Sequence, residues 1–391
     1  MKHFISLVGL FILGACGVNH FQVGSPVRNE FQDTLAVDHW MNLLIVPVEI
    51  DGQTYRFLFD TGAPNVISEE LQSVLKLDTV TDINVRDSQE QRQRLSVVKI
   101  PLLTLGKTEF KDYSAIVGDL RGVPEIQCMN IDGILGANVM KDAFWIVDGS
   151  RNQIVFGSEK NWDIQDSSSI TLPFRPKASG TPAVDIEING KTVSNTTFDT
   201  GSNSFLSVPA SIFPDMDSLP NLQIHGHLGS GLFGSVHDTD HYIPGVLSLS
   251  GMIVDSGIVR VKSNEGKGIL GMEYLGQYRM FLDWKDRNIV LERTQPSDPM
   301  RFYSFGMGLR WEDGKLLVAN ILQGSLADQY GVKVGDWILR FNNMDVSSTS
   351  QEEYCQWISW WSAQKSVRIS IAQSAKLDLE KQLMFQKAPT P

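Results

Sequence analysis

The hydrophobic pattern changes character along the chain. It opens with Met1-Lys2-His3 and an apolar run from Phe4 to Leu13, about half of what a membrane-spanning helix needs. From Asn42 to Arg293 short apolar runs are cut by Asp-Gly, Asn-Gly and other glycine breaks, the signature of β-strands joined by tight turns. Val46-Pro47-Val48-Glu49-Ile50-Asp51-Gly52-Gln53-Thr54-Tyr55 reads as strand, Asp-Gly turn and returning strand. Ala183-Val184-Asp185-Ile186-Glu187-Ile188-Asn189-Gly190-Lys191-Thr192-Val193 reads the same way around Asn-Gly. After the loop-rich break Thr294-Gln295-Pro296-Ser297-Asp298-Pro299 the strands resume. From Ser350 to about Ala363 the spacing turns helical, with Tyr354, Trp357, Ile358 and Trp361 on one face and Glu353 as capping-box partner of Ser350. That stripe reads as core. The expected fold class is mainly β, with a small α+β unit at the C-terminal end.

Each strand pair delivers the same phrase. Phe59-Asp60-Thr61-Gly62-Ala63 returns 139 residues later as Phe198-Asp199-Thr200-Gly201-Ser202. Further on, Asp132-Gly133-Ile134-Leu135-Gly136 is answered by Lys267-Gly268-Ile269-Leu270-Gly271. The apolar runs Phe144–Asp148 and Met280–Trp284 then follow in matching order. This is an internal duplication of one β unit. Two aspartates in matching turns are what a water-activating dyad requires. Carboxyls held within about 3 Å cannot both ionise, so they share a proton, one acting as base and the other as acid.

Asp-Thr-Gly followed by a distant hydrophobic-hydrophobic-Gly resembles the aspartic proteases of the pepsin and retropepsin type. The resemblance covers roughly Asn42 to Arg293. It implies a bilobal pseudodimer of two retropepsin-like lobes, with Asp60 and Asp199 catalytic. Thr61 and Thr200 would cross-brace the two turns, and Gly62 and Gly201 would allow close backbone approach. Gly136 and Gly271 would pack beneath the aspartates. No cofactor or metal is implied. Ser202 has no counterpart at Ala63, so its hydroxyl is expected to donate to Asp199, leaving the charge there and the proton on Asp60. Replacing Ala63 with Ser would then move the activity profile toward lower pH.

The C-terminal region, with Phe305-Gly306-Met307-Gly308-Leu309, a short helix closed by Gly331, and Val334-Gly335-Asp336-Trp337-Ile338, resembles a PDZ domain. Asn343 stands where that family usually has Gly, and Asn tolerates positive φ. The resemblance implies a groove that takes a C-terminal peptide as an added strand, with amides near Gly306, Met307, Gly308 and Leu309 receiving its carboxylate.

Composition narrows the setting. The 391 residues carry a net charge of −11 with dispersed acids and no basic cluster, which argues against nucleic-acid binding. The basic start, short apolar stretch and Leu13-Gly14-Ala15-Cys16 resemble a bacterial lipoprotein signal, with Cys16 lipidated as the only membrane anchor. With three cysteines in all and Cys128 and Cys355 in different expected domains, no disulfide framework is expected. Four of the seven histidines, His225, His227, His237 and His241, fall on expected hairpin arms around Gly229-Ser230-Gly231. They read as polar flap residues, with zinc binding or pH sensing as alternatives. The first flap counterpart is Arg86 to Arg94. His-Glu-x-x-His, Gly-x-Ser-x-Gly and phosphate-loop signatures are absent.

The sequence therefore points to a signal peptide at 1–15, a tether at 16–40, lobes at 41–158 and 170–294, and a PDZ-like unit at 300–386. The expected activity is that of an aspartic endopeptidase on peptide or protein substrates, exported and lipid-anchored in the bacterial cell envelope. The alternative is a catalytically silent peptide-binding module using the same cleft and groove.

Overall fold

The computed structural model describes residues 21, 23–160, 169–264, 266–294, 301–372 and 376–386. The expected signal peptide and Cys16 lie outside the described residues. Among those described, no helix is long and apolar enough to cross a membrane.

The protein is mainly β. Residues of the first repeat build a nine-stranded sheet and those of the second enter a ten-stranded one. The Asp-Gly and Asn-Gly turns form as the sequence requires. Asp51 and Gly52 have φ of 52° and 71°, and Asn189 and Gly190 have 51° and 75°, the left-handed pair of a tight hairpin. The strands they return, Gln53–Asp60 and Lys191–Phe198, run straight to the aspartate turns.

A six-stranded sheet mixes the two repeats. Phe144–Asp148 of the first pairs antiparallel with Tyr278–Asp283 of the second, Trp145 opposite Leu282. The inward residues Trp145, Val147, Met280 and Leu282 are buried, so neither repeat closes its core without the other. Residues 25–40, expected to be a tether, instead supply strands. Gln32–Ala36 completes the edge of this sheet against Gln153–Gly157, and Asp38–Trp40 pairs with Leu43–Ile50. The reason is apolar burial: Leu35 and Val37 are buried, and Phe31 packs edge-on against Phe110 at 5.7 Å.

The C-terminal unit combines a four-stranded sheet with helices Leu326–Gln329 and Gln351–Ala363. Ser350 caps the second helix in a capping box with Glu353. Tyr354, Ile358 and Trp361 are buried, and Phe341 meets Trp357, Trp360 and Trp361 at 5.3–5.7 Å, so the aromatic stripe is core. The positive φ expected at Asn343 belongs to Asn342, at 52°.

This unit is not a separate bead. Its strand Lys315–Leu322 pairs with Leu222–Gly231 of the second repeat, which makes one continuous sheet. The expectation of no disulfide is also corrected. Cys128 and Cys355, 227 residues apart, are bonded with Cα atoms 5.2 Å apart. Sequence separation hid the pair, because only the tertiary fold brings Cys128, at the end of the short helix Pro124–Gln127, beside the helix Gln351–Ala363. Breaking the bond by Cys128→Ser with Cys355→Ser should cost about 2–4 kcal/mol, read as an earlier unfolding midpoint in urea. An unchanged midpoint would mean that the pairing and packing hold the unit unaided.

Candidate active site

Two parallel strand contacts place the aspartates. Gly133–Gly136 pairs with the end of Gln53–Asp60, bringing Gly136 opposite Asp60. Ile269–Leu270 does the same for the second repeat, and the Asp199 N–H donates to the Leu270 carbonyl at 3.0 Å. A Cβ on Gly136 would overlap the Pro64 and Asn65 backbone, and one on Gly271 the Ser204 and Ser202 carbonyls.

The two turns hold each other. Thr61 N–H donates to Thr200 Oγ1 at 3.0 Å, and Thr200 N–H donates to Thr61 Oγ1 at 3.1 Å. Thr61 Oγ1 donates onward to the Phe198 carbonyl at 2.7 Å, and Thr200 Oγ1 to the Phe59 carbonyl at 2.9 Å. Both threonines are fully buried, so losing one partner leaves donors and acceptors that water cannot reach. The glycines of the motif sit against the opposite carboxyl: a Cβ on Gly62 would lie 2.5 Å from Asp199 Cγ, and one on Gly201 would overlap Asp60.

Asp60 and Asp199 are both 0 % exposed. Gly62 N–H donates to Asp60 Oδ1 at 2.7 Å, and Gly201 N–H to Asp199 Oδ1 at 3.0 Å. The two Oδ2 atoms are buried and accept no hydrogen bond from any other described part of the protein. Burial pushes Asp60 up to about 7, partly offset by the Asp199 carboxyl and by the amides of Gly62, Ala63 and Gly201. Asp199 is raised well above the carboxylate range by burial and then by the neighbouring Asp60 charge. Both carboxyls are therefore held toward the protonated form, and they titrate as a pair.

The hydrogen bond expected from Ser202 to Asp199 does not form. The Ser202 hydroxyl pairs with Ser204 Oγ at 2.8 Å, below the turn, leaving Asp199 without a hydroxyl donor from that side. An Ala63→Ser change thus has nothing in the second turn to imitate.

Several site residues carried no motif. Asn65 Oδ1 accepts from the Gly136 N–H at 2.8 Å, and Asn138 Oδ1 from the Asn65 N–H at 2.7 Å, a polar brace under the first turn only. Lys177 donates to Thr197 Oγ1 at 2.6 Å, two residues before Asp199. Burial and Lys267 pull its pKa down to about 7, opposed by Asp199.

The histidine hairpin turns at Leu232-Phe233, between strands Leu222–Gly231 and Gly234–Leu249, and not at residues 229–231. A register shift between His227 and Ser230 moves the tip. That tip meets the first-repeat hairpin. Asp87, fully buried, accepts N–H groups from Gln89 and Gln91 of its own turn and from Phe233 across, at 2.9, 3.0 and 3.1 Å. His227 and His237 stack edge to face at 5.5 Å, and among the described residues no three His, Cys, Asp or Glu side chains converge on a metal site. In the C-terminal unit, Gly306 has φ of 81° and Met307–Glu312 forms the last strand of the ten-stranded sheet.

Residues 46–139, the span that carries the first aspartate turn and its glycine support, match the protein family described as aspartyl protease. No curated protein matches the chain.

Two outcomes follow. Thr200→Val, which keeps the shape and removes the hydroxyl, should cost about 2–4 kcal/mol by stranding the Phe59 carbonyl and the Thr61 N–H, measured by urea unfolding. A loss under about 0.5 kcal/mol would rule out the brace as a stability element. The second concerns pH. Asp60 stays protonated in the fold up to about 7 but ionises from about 4 when unfolded. The unfolded chain then binds fewer protons between those values, so stability falls as pH rises through that window. Asp60→Asn should raise the melting temperature at pH 7 and leave it nearly unchanged at pH 4. Equal effects at both would disprove the raised native pKa.

Proposed function

We propose that the protein is an aspartic endopeptidase whose paired carboxyls, Asp60 and Asp199, activate a water for attack on a peptide bond. The observation that carries this reading is the pair of fully buried carboxyls, each fixed by its own glycine amide in one of two threonine-braced turns. The raised pKa values fit the division of labour. Ionised Asp60 takes a proton from the water as its oxygen bonds to the scissile carbonyl carbon, while Asp199 gives its proton to the carbonyl oxygen. Collapse of the tetrahedral intermediate breaks the C–N bond as the proton held by Asp60 goes to the leaving amine and one hydroxyl proton of the intermediate returns to Asp199, restoring the starting pair. No bond to the protein forms.

The braced turns supply positioning: each carboxyl is fixed by its glycine amide, so the reaction begins with little reorganisation. The rims of the hairpins at Asp87 and Phe233, joined to each other in this structure, would part to admit an extended peptide. The C-terminal unit is assigned a PDZ-like role, recruiting peptide tails or controlling the cleft. Export and lipid anchoring through Cys16 belong to the same proposal, which puts the substrates among proteins of the cell envelope.

The test is cleavage of a mixed peptide library between about pH 3 and 8 by wild type, Asp60→Asn and Asp199→Asn. Either single change should lower turnover by at least about a thousandfold, because the two groups act as a unit. Peptide binding without cleavage by wild type would assign the cleft to capture.

A further inference from the structure

A cation stands beside one aspartate and not the other. Lys177 opens a tight turn between strands Arg175–Pro176 and Pro182–Ile188. Its N–H donates to the Thr181 carbonyl at 2.8 Å, and its carbonyl accepts from the Gly180 N–H at 2.9 Å. The surroundings fix the turn further. Trp284 Nε1 donates to the Gly180 carbonyl at 2.7 Å, and the buried hydroxyls of Ser179 and Thr181 pair at 2.9 Å. A Cβ on Gly180 would lie 2.7 Å from the Ala137 carbonyl of the first repeat. A side chain rooted in so constrained a turn has a set direction.

The ammonium reaches the strand that carries Asp199, donating to Thr197 Oγ1 at 2.6 Å. Residues two apart in a strand share a face and lie about 7 Å apart, so Thr197 and Asp199 share theirs. Lys177 forms no ion pair among the described residues. The acid that faces it is Asp199, already engaged with Asp60, and the other charge that faces it is Lys267. Lys267 is exposed and precedes Gly268, whose carbonyl accepts the Thr197 N–H at 2.8 Å. A half-buried cation set between a second cation and a coupled acid pair lacks a counter-ion of its own, and a charge removed from water is costly without one.

The first repeat has no equivalent. Asp38 lies opposite Ile45 and Ile45 opposite Leu58, just as Arg175 lies opposite Ala183 and Ala183 opposite Thr197. Two residues on from Asp38 and Arg175 stand Trp40 and Lys177. Where the second repeat has Lys177 and Thr197, the first therefore has Trp40 and Leu58, both packed in the apolar core. The two sides of the dyad differ in charge.

A peptide crossing the dyad in extended form advances about 3.3 Å per residue. A side chain within two residues of the scissile bond thus comes within reach of Lys177. We propose that Lys177 determines specificity: it takes the carboxylate of a substrate glutamate or aspartate within two residues of the scissile bond, on the Asp199 side only. The cut rests on the endopeptidase reading; the charge preference of the cleft does not.

The experiment uses the full chain and octapeptides carrying one Glu, Gln or Lys at each position in turn, at about pH 6. There a substrate glutamate is ionised and Lys177, with its pKa near 7, is mostly protonated. Cleavage is measured with wild type, and binding with Asp60→Asn. Glu peptides should exceed their Gln counterparts at least about tenfold in kcat/KM and in affinity, with the residue on one side of the cut and not the other. Lys177→Met should bring the Glu-to-Gln ratio toward one, Lys177→Arg should keep it, and Lys177→Glu should turn the preference to Lys. Each ratio is taken within one variant, so a general loss of activity cancels. A ratio near one in wild type and in Asp60→Asn, an equal preference on both sides of the cut, or a preference that survives Lys177→Met would overturn the proposal. If no peptide is cleaved, yet Asp60→Asn holds Glu peptides more tightly and the added Lys177→Met removes the difference, the acid-binding role stands and the endopeptidase falls.

Discussion

Two buried carboxyls are held side by side, and the structure around them keeps them there. Neither turn could do this alone. Each threonine satisfies the backbone of the opposite turn, so four buried hydrogen bonds form only when both repeats are in place. Each is worth about 1 kcal/mol when made and more when one partner is missing. The brace thus ties the position of one aspartate to the folding of the other half of the chain.

The same interdependence recurs on a larger scale. The six-stranded sheet takes strands from both repeats and from residues 32–36, so the core under the dyad is jointly owned. Close approach of each motif glycine to the opposite carboxyl leaves no room for side chains between the turns. Burial raises the pKa of both acids, and the neighbouring Asp60 charge raises that of Asp199 further. Their inequality comes from surroundings. Asn65 and Asn138 brace only the first turn, while Lys177 stands near only the second.

The C-terminal unit follows a similar logic without sharing the repeat. A ladder from Lys315–Leu322, the Glu125 bridge between Ser230 and Tyr354, and the Cys128–Cys355 bond bind it to both halves. The ladder and the Glu125–Ser230 contact reach the second hairpin, which is also the element in contact with the first hairpin at Asp87. A domain boundary legible in the sequence is therefore crossed in three ways by the fold.

What could be read in the sequence was local and repeated. The Asp-Gly and Asn-Gly turns need φ values that few residues adopt, the capping box at Ser350 is satisfied within one helical turn, and the doubled Asp-Thr-Gly and Gly-Ile-Leu-Gly phrases announce themselves by recurrence. Their physical causes lie within a few residues, so spacing and residue type suffice. What the sequence left open depended on groups far apart in the chain. The partner of Ser202, the strands at residues 25–40, the Cys128–Cys355 bond, the Glu125 bridge and the raised pKa of the paired acids all follow from which segments pack together. A hydroxyl pairs with whatever acceptor lies within about 3 Å, and a carboxyl's pKa answers to burial and to charges from any part of the chain. Those distances are set only when the sheets close.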